Sequence, residues 1–357
     1  MKLRIGFAGL GAMGVSHVNS IQKLCCEHAE VTAVCARNEK NIRRALDIAP
    51  RAKVFSDEAE LIQSPLDAVF ISTPNFTHVT LALETLKAGK HLFLEKPCGI
   101  TREECDRLLR ASEQTDRVVM IGHEFRYSAY FQRIKQLVDT GEIGQPRMAW
   151  GREFRHPFQK KSQDWIQDDR RSGGCLVDKN CHQFDLMNWW IGARPQRVAA
   201  FGSCAVNRVI EGPHQVHDHA TVSFEYDNGA RGTLHLCMFG RDFPDEDLEL
   251  GVIGDAGVLQ TRISQIEILQ WKRGAKQKEP LVHQISAKRG EGWGSHLGFD
   301  EMHVEFVSCI RDKRQPLTTV RACVDGTRLA IAAEESIKKG AIVTLDKTAG
   351  RKRAGDQ

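Results

Sequence analysis

A short segment of the sequence concentrates groups that can hold or move protons. Asp178, Lys179, His182 and Asp185 fall within the eight residues "DKNCHQFD". If this stretch belongs to a helix over 178–191, Asp178, His182 and Asp185 share one face. A histidine is a competent base at neutral pH because its ordinary pKa is about 6.5. The pattern predicts proton transfer from a substrate hydroxyl; the alternative is a capping aspartate beside a histidine of the core.

Lys179 lies three residues before His182 and has three possible roles. Its charge would lower the pKa of the imidazole and keep the base neutral, or its ammonium would bind substrate hydroxyls. It could also point to solvent. The sequence alone leaves these roles open.

A second basic group follows the apolar run "HLFL", which is typical of a strand and continues into Glu95-Lys96-Pro97. Open α/β sheets bind ligands at the carboxyl ends of their strands. An ammonium at Lys96 would stabilise the alkoxide that forms when a hydroxyl loses its proton. The Lys96–Pro97 bond can be cis. The alternative for Lys96 is an ordinary surface charge.

A glycine pattern near the N-terminus predicts a dinucleotide site. Gly9, Gly11 and Gly14, with Ala12 and Met13 between the last two, follow the strand-like run "LRIGFA" and begin a helical stretch. Glycines in this arrangement let the backbone and a helix N-terminus approach a pyrophosphate.

The residues after the second predicted strand, "VTAVCA", bear on the choice of dinucleotide. A carboxylate there would accept the ribose 2′-OH of NAD, whereas an arginine can hold the 2′-phosphate of NADP. This chain has Arg37 and Asn38, so NADP is favoured over NAD. The alternative is that Arg37 belongs to a solvated helix start.

Strand-like runs alternate with helical stretches up to about residue 122, and this pattern predicts a doubly wound parallel sheet. Beyond it, runs such as "ATVSFEYDNGARGTLHL" predict hairpins of a large, mainly antiparallel open sheet. We therefore predict an α/β protein with a Rossmann domain over 1–122, a substrate-binding α/β domain over 123–346 and a basic, disordered tail over 347–357.

Composition narrows the classes of binding partner and the cellular compartment. The net charge of +4 is spread along the 357 residues, which indicates neither nucleic-acid nor membrane binding. No apolar run reaches the ~20 residues that span a bilayer. Eleven cysteines in no metal-ligand spacing fit a reduced, cytoplasmic compartment. His156, Asp178, His182 and the "HDH" at 217–219 show no recognisable metal-site spacing, so we assign no metal from the sequence.

Together these motifs resemble the Gfo/Idh/MocA family of glucose-fructose oxidoreductase, inositol dehydrogenases and related sugar dehydrogenases. The resemblance runs from the glycines through "STPNFTH" and "EKP" to Asp-x-x-x-His-x-x-Asp and the "DG…A…ES…KKG" ending, nearly the whole chain. It implies that several residues besides the glycines, Arg37 and Asn38 border the dinucleotide: Thr73, Pro74, Asn75, His78, Glu95 and Lys96. It also implies that Lys96, Asp178 and His182 act on the substrate, with Arg126 and Trp165 as further contacts. Lys179 departs from the family, in which a small or apolar residue often follows the aspartate, and is a candidate substrate contact on its own chemistry.

The implied activity is an NAD(P)-dependent dehydrogenase that oxidises a secondary hydroxyl of a pyranose, cyclitol or glycoside. His182 would be the base and Lys96 the alkoxide stabiliser. The resemblance also implies a homo-oligomer, a dimer or tetramer formed through the C-terminal sheet. Two alternatives remain: a redox-neutral enzyme that oxidises its sugar transiently for cleavage, elimination or epimerisation, and a non-catalytic dinucleotide sensor.

Overall fold

The computed structural model describes residues 1–242, 246–275, 278–286 and 297–345. Its first half is the predicted doubly wound sheet, with six parallel strands in the order β3-β2-β1-β4-β5-β6. The strands are β1 Leu3–Ala8, β2 Ala29–Cys35, β3 Lys53–Phe55, β4 Ala68–Ile71, β5 His91–Leu94 and β6 Val119–Ile121. The helices between them are α1 Ala12–Leu24, α2 Glu39–Ile48, α3 Glu58–Gln63, α4 His78–Lys87 and α5 Arg102–Glu113.

The second half contains nine strands in the order β14-β13-β12-β11-β7-β10-β9-β8-β15. Neighbouring strands are antiparallel except for β7 and β10, which are parallel. The strands are β7 Pro146–Arg155, β8 Pro195–Ser203, β9 His219–Tyr226, β10 Arg231–Cys237, β11 Glu246–Gly254, β12 Gly257–Arg262, β13 Glu267–Lys272, β14 Leu281–Gln284 and β15 Val343–Thr344. The prediction of a large, mainly antiparallel sheet is confirmed.

The helices of this half are α6 Ala129–Asp139, α7 Asp169–Ser172, α8 Cys181–Ile191, α9 Phe299–Asp312 and α10 Val320–Lys339. Helix α8 is preceded by a π-helical turn, Leu176–Asn180. The C-terminal helix stops at Gly340, which adopts a left-handed conformation with φ 60°, as the sequence pattern predicted.

The two sheets differ in how they are covered. In β4, Ala68 and Phe70 pack into one apolar cluster and Val69 and Ile71 into another, so the strand is buried on both faces. This explains its continuous apolar sequence. Along β9, buried and more accessible residues alternate, because α8 and α10 cover one face of the nine-stranded sheet and leave the other open. The alternation of buried and accessible residues in β9 thus contrasts with the continuously apolar sequence of β4.

Helix α9 departs from the simple division into an N-terminal and a C-terminal domain. Its buried residues Met302 and Phe306 join the same apolar cluster as Phe7, Phe70 and Phe93 of the first sheet. The Phe306 ring lies edge-on to Phe70 with 5.1 Å between the centroids. A segment from the far end of the sequence thus completes the core of the first domain.

Three further expectations concern the chain as a whole. The predicted tail over 347–357 lies outside the described residues. All eleven cysteines lie within them, and every one is a free thiol. In the described ranges, no helix combines the length and apolar character that a bilayer crossing requires.

The packing of α9 gives a stability prediction. Phe306→Ala removes a fully buried ring from the first domain's core and should lower the free energy of unfolding by about 3–5 kcal/mol. Val304→Ala is the matched control, because Val304 lies on the same helix and is 45% exposed; its effect should stay within about 0.5 kcal/mol. Urea denaturation followed by circular dichroism checks both. Equal midpoints would show that α9 does not contribute to this core.

Candidate active site

The glycine loop has the geometry that a pyrophosphate requires. Gly9 has φ 91°, and a Cβ there would lie 2.7 Å from the Ser72 carbonyl group; at Gly14 it would lie 2.1 Å from the Gly9 oxygen. A Cβ on Gly11 would meet only open space. No side chain caps the N-terminus of α1, so its first N–H groups are available to an anion. The loop therefore fits the phosphates of a dinucleotide.

The end of β2 presents Arg37 to solvent. The neighbouring Asn38 side chain caps α2 by accepting a hydrogen bond from the Asn41 N–H at 3.2 Å. Its amide oxygen is therefore engaged in local structure, whereas the Arg37 guanidinium is exposed beside the helix start. Contact between Arg37 and a ribose phosphate remains a prediction.

His78 connects two loops at the carboxyl edge of the sheet. Its Nε2 lies 2.9 Å from the Thr73 carbonyl oxygen, and its Nδ1 lies 3.1 Å from the carbonyl oxygen of Pro97, which follows a cis peptide bond. Burial lowers the pKa of this imidazole. His78 thereby fixes the loop after β4 against the loop after β5, which carries Lys96.

Asp178 is the point where the two halves of the chain meet. The Lys96 ammonium donates to the Asp178 carbonyl oxygen at 2.7 Å. The Asn75 amide donates to the Asp178 carboxylate at 3.1 Å and to the Ser172 carbonyl oxygen at 2.9 Å. The Lys179 ammonium lies 3.3 Å from the other carboxylate oxygen. Lys96, Asn75 and Asp178, all predicted from the sequence, are therefore in direct contact.

The charges in this cluster support one another. Burial by itself would raise the pKa of Asp178, but Lys96, Lys179 and the Asn75 hydrogen bond outweigh it and bring the pKa below the ordinary value. Burial also opposes the charge on Lys96, yet the acidic groups around it, Asp178 first, raise its pKa above the ordinary value. At neutral pH both groups are therefore ionised.

The helix that carries His182 differs in one respect from the predicted one. Leu176–Asn180 forms a π-helical turn before α8 begins at Cys181. Asp185 does not share an open face with Asp178 and His182, because it is 1% exposed and its carboxylate binds Arg126. The wider turn and this buried ion pair explain the difference.

Arg126 has a structural task. Its guanidinium donates to both Asp185 oxygens at 2.7 Å and to the Ala322 carbonyl oxygen at 2.9 Å. It also lies over the Trp189 ring, 5.2 Å from its centroid. Since its donors bind protein groups and it is only 4% exposed, we correct the expectation that Arg126 contacts substrate.

His182 is 7% exposed and lies beside a carboxylate that the sequence analysis did not identify. The His182 Nδ1 is 3.6 Å from Glu124 Oε2, and the centroid of the Phe125 ring lies 5.0 Å from the centroid of the His182 ring. Glu124 also contributes to the raised pKa of Lys96. Its position just after β6, at the same carboxyl edge as Lys96, was the signal that could have revealed it.

Lys179 is directed toward the segment that follows β7. Its ammonium lies against Asp178 and 5.0 Å from the centroid of the Phe158 ring. Burial lowers its pKa to about 8, with Arg155 and Lys96 adding to the effect and Asp178 opposing it. The side chain is 21% exposed, so the solvent-facing alternative is wrong. A contact with substrate remains a prediction.

Glu95 belongs to a buried chain of polar groups that the sequence did not indicate. Its carboxylate lies 2.9 Å from His17 Nε2, and His17 Nδ1 lies 2.7 Å from His303 Nε2. His303 Nδ1 in turn lies 2.7 Å from the Phe299 carbonyl oxygen. Because these contacts fix α1 and α9 against the end of β5, we treat Glu95 as a positioning residue for Lys96 and not as a dinucleotide contact.

Trp165 lies in the 3₁₀ segment Ser162–Gln167 and is half-buried. Two residues just before it, Gln163 and Asp164, have positive φ, which is uncommon outside glycine. A contact between Trp165 and substrate remains a prediction.

Two sequence profiles match the chain. Residues 3–123 match "Oxidoreductase family, NAD-binding Rossmann fold", and residues 135–345 match "Oxidoreductase family, C-terminal alpha/beta domain", which are the two parts of Gfo/Idh/MocA proteins. The chain belongs to the Gfo/Idh/MocA family. It is therefore an NAD-binding oxidoreductase of the inositol and sugar dehydrogenase type, as its motifs predicted.

Individual relatives agree with this membership. The chain is 31% identical over 266 residues to inositol 2-dehydrogenase of Salmonella typhimurium, covering 73% of this chain and 74% of that protein. It is 26% identical over 355 residues to scyllo-inositol 2-dehydrogenase (NAD(+)) of Bacillus subtilis, covering 97% of each. A solved oxidoreductase domain protein from Kribbella flavida shares the fold, with TM-score 0.85, 21% identity and coverage of 97% of this chain and 100% of that chain.

The charge on Lys179 predicts a pH effect. Its pKa of about 8 means that it loses its proton as the pH rises through 8. If its charge binds substrate, kcat/KM should fall above pH 8, and Lys179→Arg should move this fall to higher pH because a guanidinium stays charged. Lys135→Arg is the control, since Lys135 is 22% exposed and paired with Asp139. If the fall in kcat/KM stays at the same pH in Lys179→Arg, the ionisation of Lys179 does not cause it.

Proposed function

We propose that the protein oxidises a secondary hydroxyl of a pyranose, a cyclitol or a glycoside of one. The observation that carries the proposal is the contact of Lys96 with Asp178, at the carboxyl edge of the sheet whose glycine loop fits a dinucleotide. The names of the Salmonella and Bacillus relatives, both inositol dehydrogenases, support a cyclitol or sugar. The bound dinucleotide would supply hydride acceptance at its nicotinamide ring.

In this proposal, His182 takes the proton of the substrate hydroxyl. Glu124, 3.6 Å from its Nδ1, would stabilise the imidazolium that forms. Lys96 would stabilise the developing alkoxide, because its raised pKa keeps the ammonium charged at neutral pH. The Asp178 carbonyl oxygen holds that ammonium in place. Proton removal and alkoxide stabilisation would thus fall to two different side chains.

Substrate recognition would rest on polar groups with an aromatic neighbour. Asp178 and Lys179 are held against each other and offer an acceptor and donors to ring hydroxyls. The half-buried Trp165 would offer an apolar face to C–H groups, as indole rings do in sugar sites. This combination suits a polyhydroxylated ring better than an apolar alcohol.

For the dinucleotide, we propose a preference for NADP. The support is Arg37, an exposed guanidinium where a carboxylate would select the 2′-OH of NAD. The Bacillus relative carries NAD(+) in its name, so the two proteins would differ at this position of the site.

We also propose that copies of the chain associate through the open face of the nine-stranded sheet. Apolar side chains emerge on its strands: Met148 of β7 is 45% exposed and Phe201 of β8 is 78% exposed. In the described part of the chain, no helix packs over this face. Exposed apolar surface of this kind marks protein interfaces.

Loss of the proposed base gives the first test. His182→Ala should lower kcat by roughly 100-fold or more, while the dissociation constant of the dinucleotide stays nearly unchanged. His28→Ala, at an exposed position between α1 and β2, is the control. Purified protein is incubated with NAD or NADP and a panel of sugars, cyclitols and glycosides, and both reduced cofactor and product are measured. Near-normal turnover in His182→Ala would refute the assignment, and product without reduced cofactor would favour redox-neutral chemistry.

The cofactor preference gives the second test. Arg37→Asp replaces a phosphate-binding cation with an acceptor for the 2′-OH, so the ratio of the NADP and NAD dissociation constants should shift toward NAD. Arg43→Asp is the control, because Arg43 is exposed on α2 and pairs with Glu39. Titration of both dinucleotides into each variant measures the ratio. An unchanged ratio in Arg37→Asp would show that Arg37 does not contact the 2′-phosphate of NADP.

A further inference from the structure

A cavity lies apart from the residues of the proposed active site. It has a volume of about 890 Å³ and lies between the start of α5, helix α7, the segment after β8 and the second half of α10. Lys96, Asp178 and His182 are not among the described residues that line it. The proposed dehydrogenase chemistry does not use this cavity.

Among the described residues, one carboxylate in the cavity wall pairs with a histidine and with no lysine or arginine. The other two acidic residues of the wall each pair with a basic side chain, Asp169 with Lys338 at 2.8 Å and Glu335 with Arg102 at 3.1 Å. Glu334 is 3% exposed, and within the described ranges its ion-pair partner is His217, 3.1 Å away. The Cys175 thiol also hydrogen-bonds to Glu334. The side chains that face this carboxylate are thus an imidazole and a thiol, both of which can also bind a metal ion.

The groups around Glu334 are those that bind zinc. The Cys175 sulfur, a ring nitrogen of His217 and a carboxylate oxygen of Glu334 all lie within 4.8 Å of one another. In a tetrahedral zinc site with bonds of about 2.0–2.3 Å, ligand atoms are roughly 3.5 Å apart. His217 Nδ1 and the nearer Glu334 oxygen are already 3.1 Å apart, and no pair of the three ligand atoms is more than 4.8 Å apart. Glu334 and His217 also line the cavity, so a fourth coordination position would face it.

The backbone already fixes this carboxylate in place. One Glu334 oxygen accepts a hydrogen bond from the Leu176 N–H at 2.9 Å. A Cβ on Gly174, which has φ 105°, would lie 2.3 Å from the Glu334 carboxyl carbon, so only glycine admits the side chain here. This gives a reason for the "GGC" that precedes the helix of His182 in the sequence.

We propose that Cys175, His217 and Glu334 bind a zinc ion. The fourth coordination position of the ion faces the cavity described above. The ion would neutralise Glu334 and join three separate parts of the fold: the segment before α8, the segment before β9, and α10. Because Cys175 directly precedes the π-helical turn that contains Asp178, the ion would also hold that turn in place. The geometry of the chain thus indicates a metal where spacing along the sequence did not.

Cobalt(II) is the probe, since a cobalt–thiolate bond gives a near-ultraviolet charge-transfer band that oxygen and nitrogen ligands do not give. Chelator-treated full-length protein is titrated with cobalt(II), and zinc(II) is then added in competition. We expect one cobalt per chain, with a thiolate band that zinc abolishes. Cys175→Ser should remove the band, and His217→Ala should weaken binding by 10-fold or more. Glu334→Gln, which keeps the Leu176 hydrogen bond, should also weaken binding.

The control is Cys323→Ser. Cys323 belongs to another buried grouping, with His123 and Asp185, in which Arg126 already occupies the carboxylate. This variant should keep the band. Absence of a thiolate band in the wild-type chain, or a band that survives Cys175→Ser, would overturn the proposal. The readout is independent of turnover, so it stands or falls separately from the proposed dehydrogenase activity.

Discussion

Lys96 and Asp178 come from different halves of the chain and meet where little water reaches them. The ammonium binds the backbone of Asp178, and the Asn75 amide binds its side chain. Burial opposes the charge on each group, and for each the charge of the other is the largest of the effects that favour it. The loops after β4 and β5 and the turn before α8 must therefore be placed together. A displacement of any one of these segments would weaken the contacts that keep Lys96 and Asp178 charged.

The same dependence explains why so many residues near the site contact protein. His78 joins two of these loops, and Glu95 joins the end of β5 to α1 through His17. Arg126 forms a buried ion pair with Asp185, which lies on the same helix as His182. Such buried polar groups need partners because an unpaired one costs free energy. These polar residues near Lys96 and His182 are therefore engaged with other groups of the protein.

The sequence predicted the features that local patterns encode. The strand and helix order, the glycine loop around Gly9, and the stop at Gly340 follow from periodicity and backbone freedom, which neighbouring residues determine. Glu124 and the ion pair of Arg126 with Asp185 were missed because their partners are distant in sequence. The π-helical turn was missed because it occupies only the five residues Leu176–Asn180, too few for a widened turn to be distinguished from an ordinary one by its apolar pattern.

The packing of α9 has a consequence for how the chain is made. A ribosome completes the six strands of the first sheet well before Phe299–Asp312 emerges, by about 10 to 35 s at synthesis rates of 5–20 residues per second. Throughout that interval, the side of the sheet formed by Phe70 and Phe93 has no α9 to cover it. The nascent chain thus carries this apolar surface without its α9 cover until that helix has emerged. Apolar surface exposed in this way promotes aggregation, so the interval before α9 emerges is when the nascent chain is most open to association with another copy.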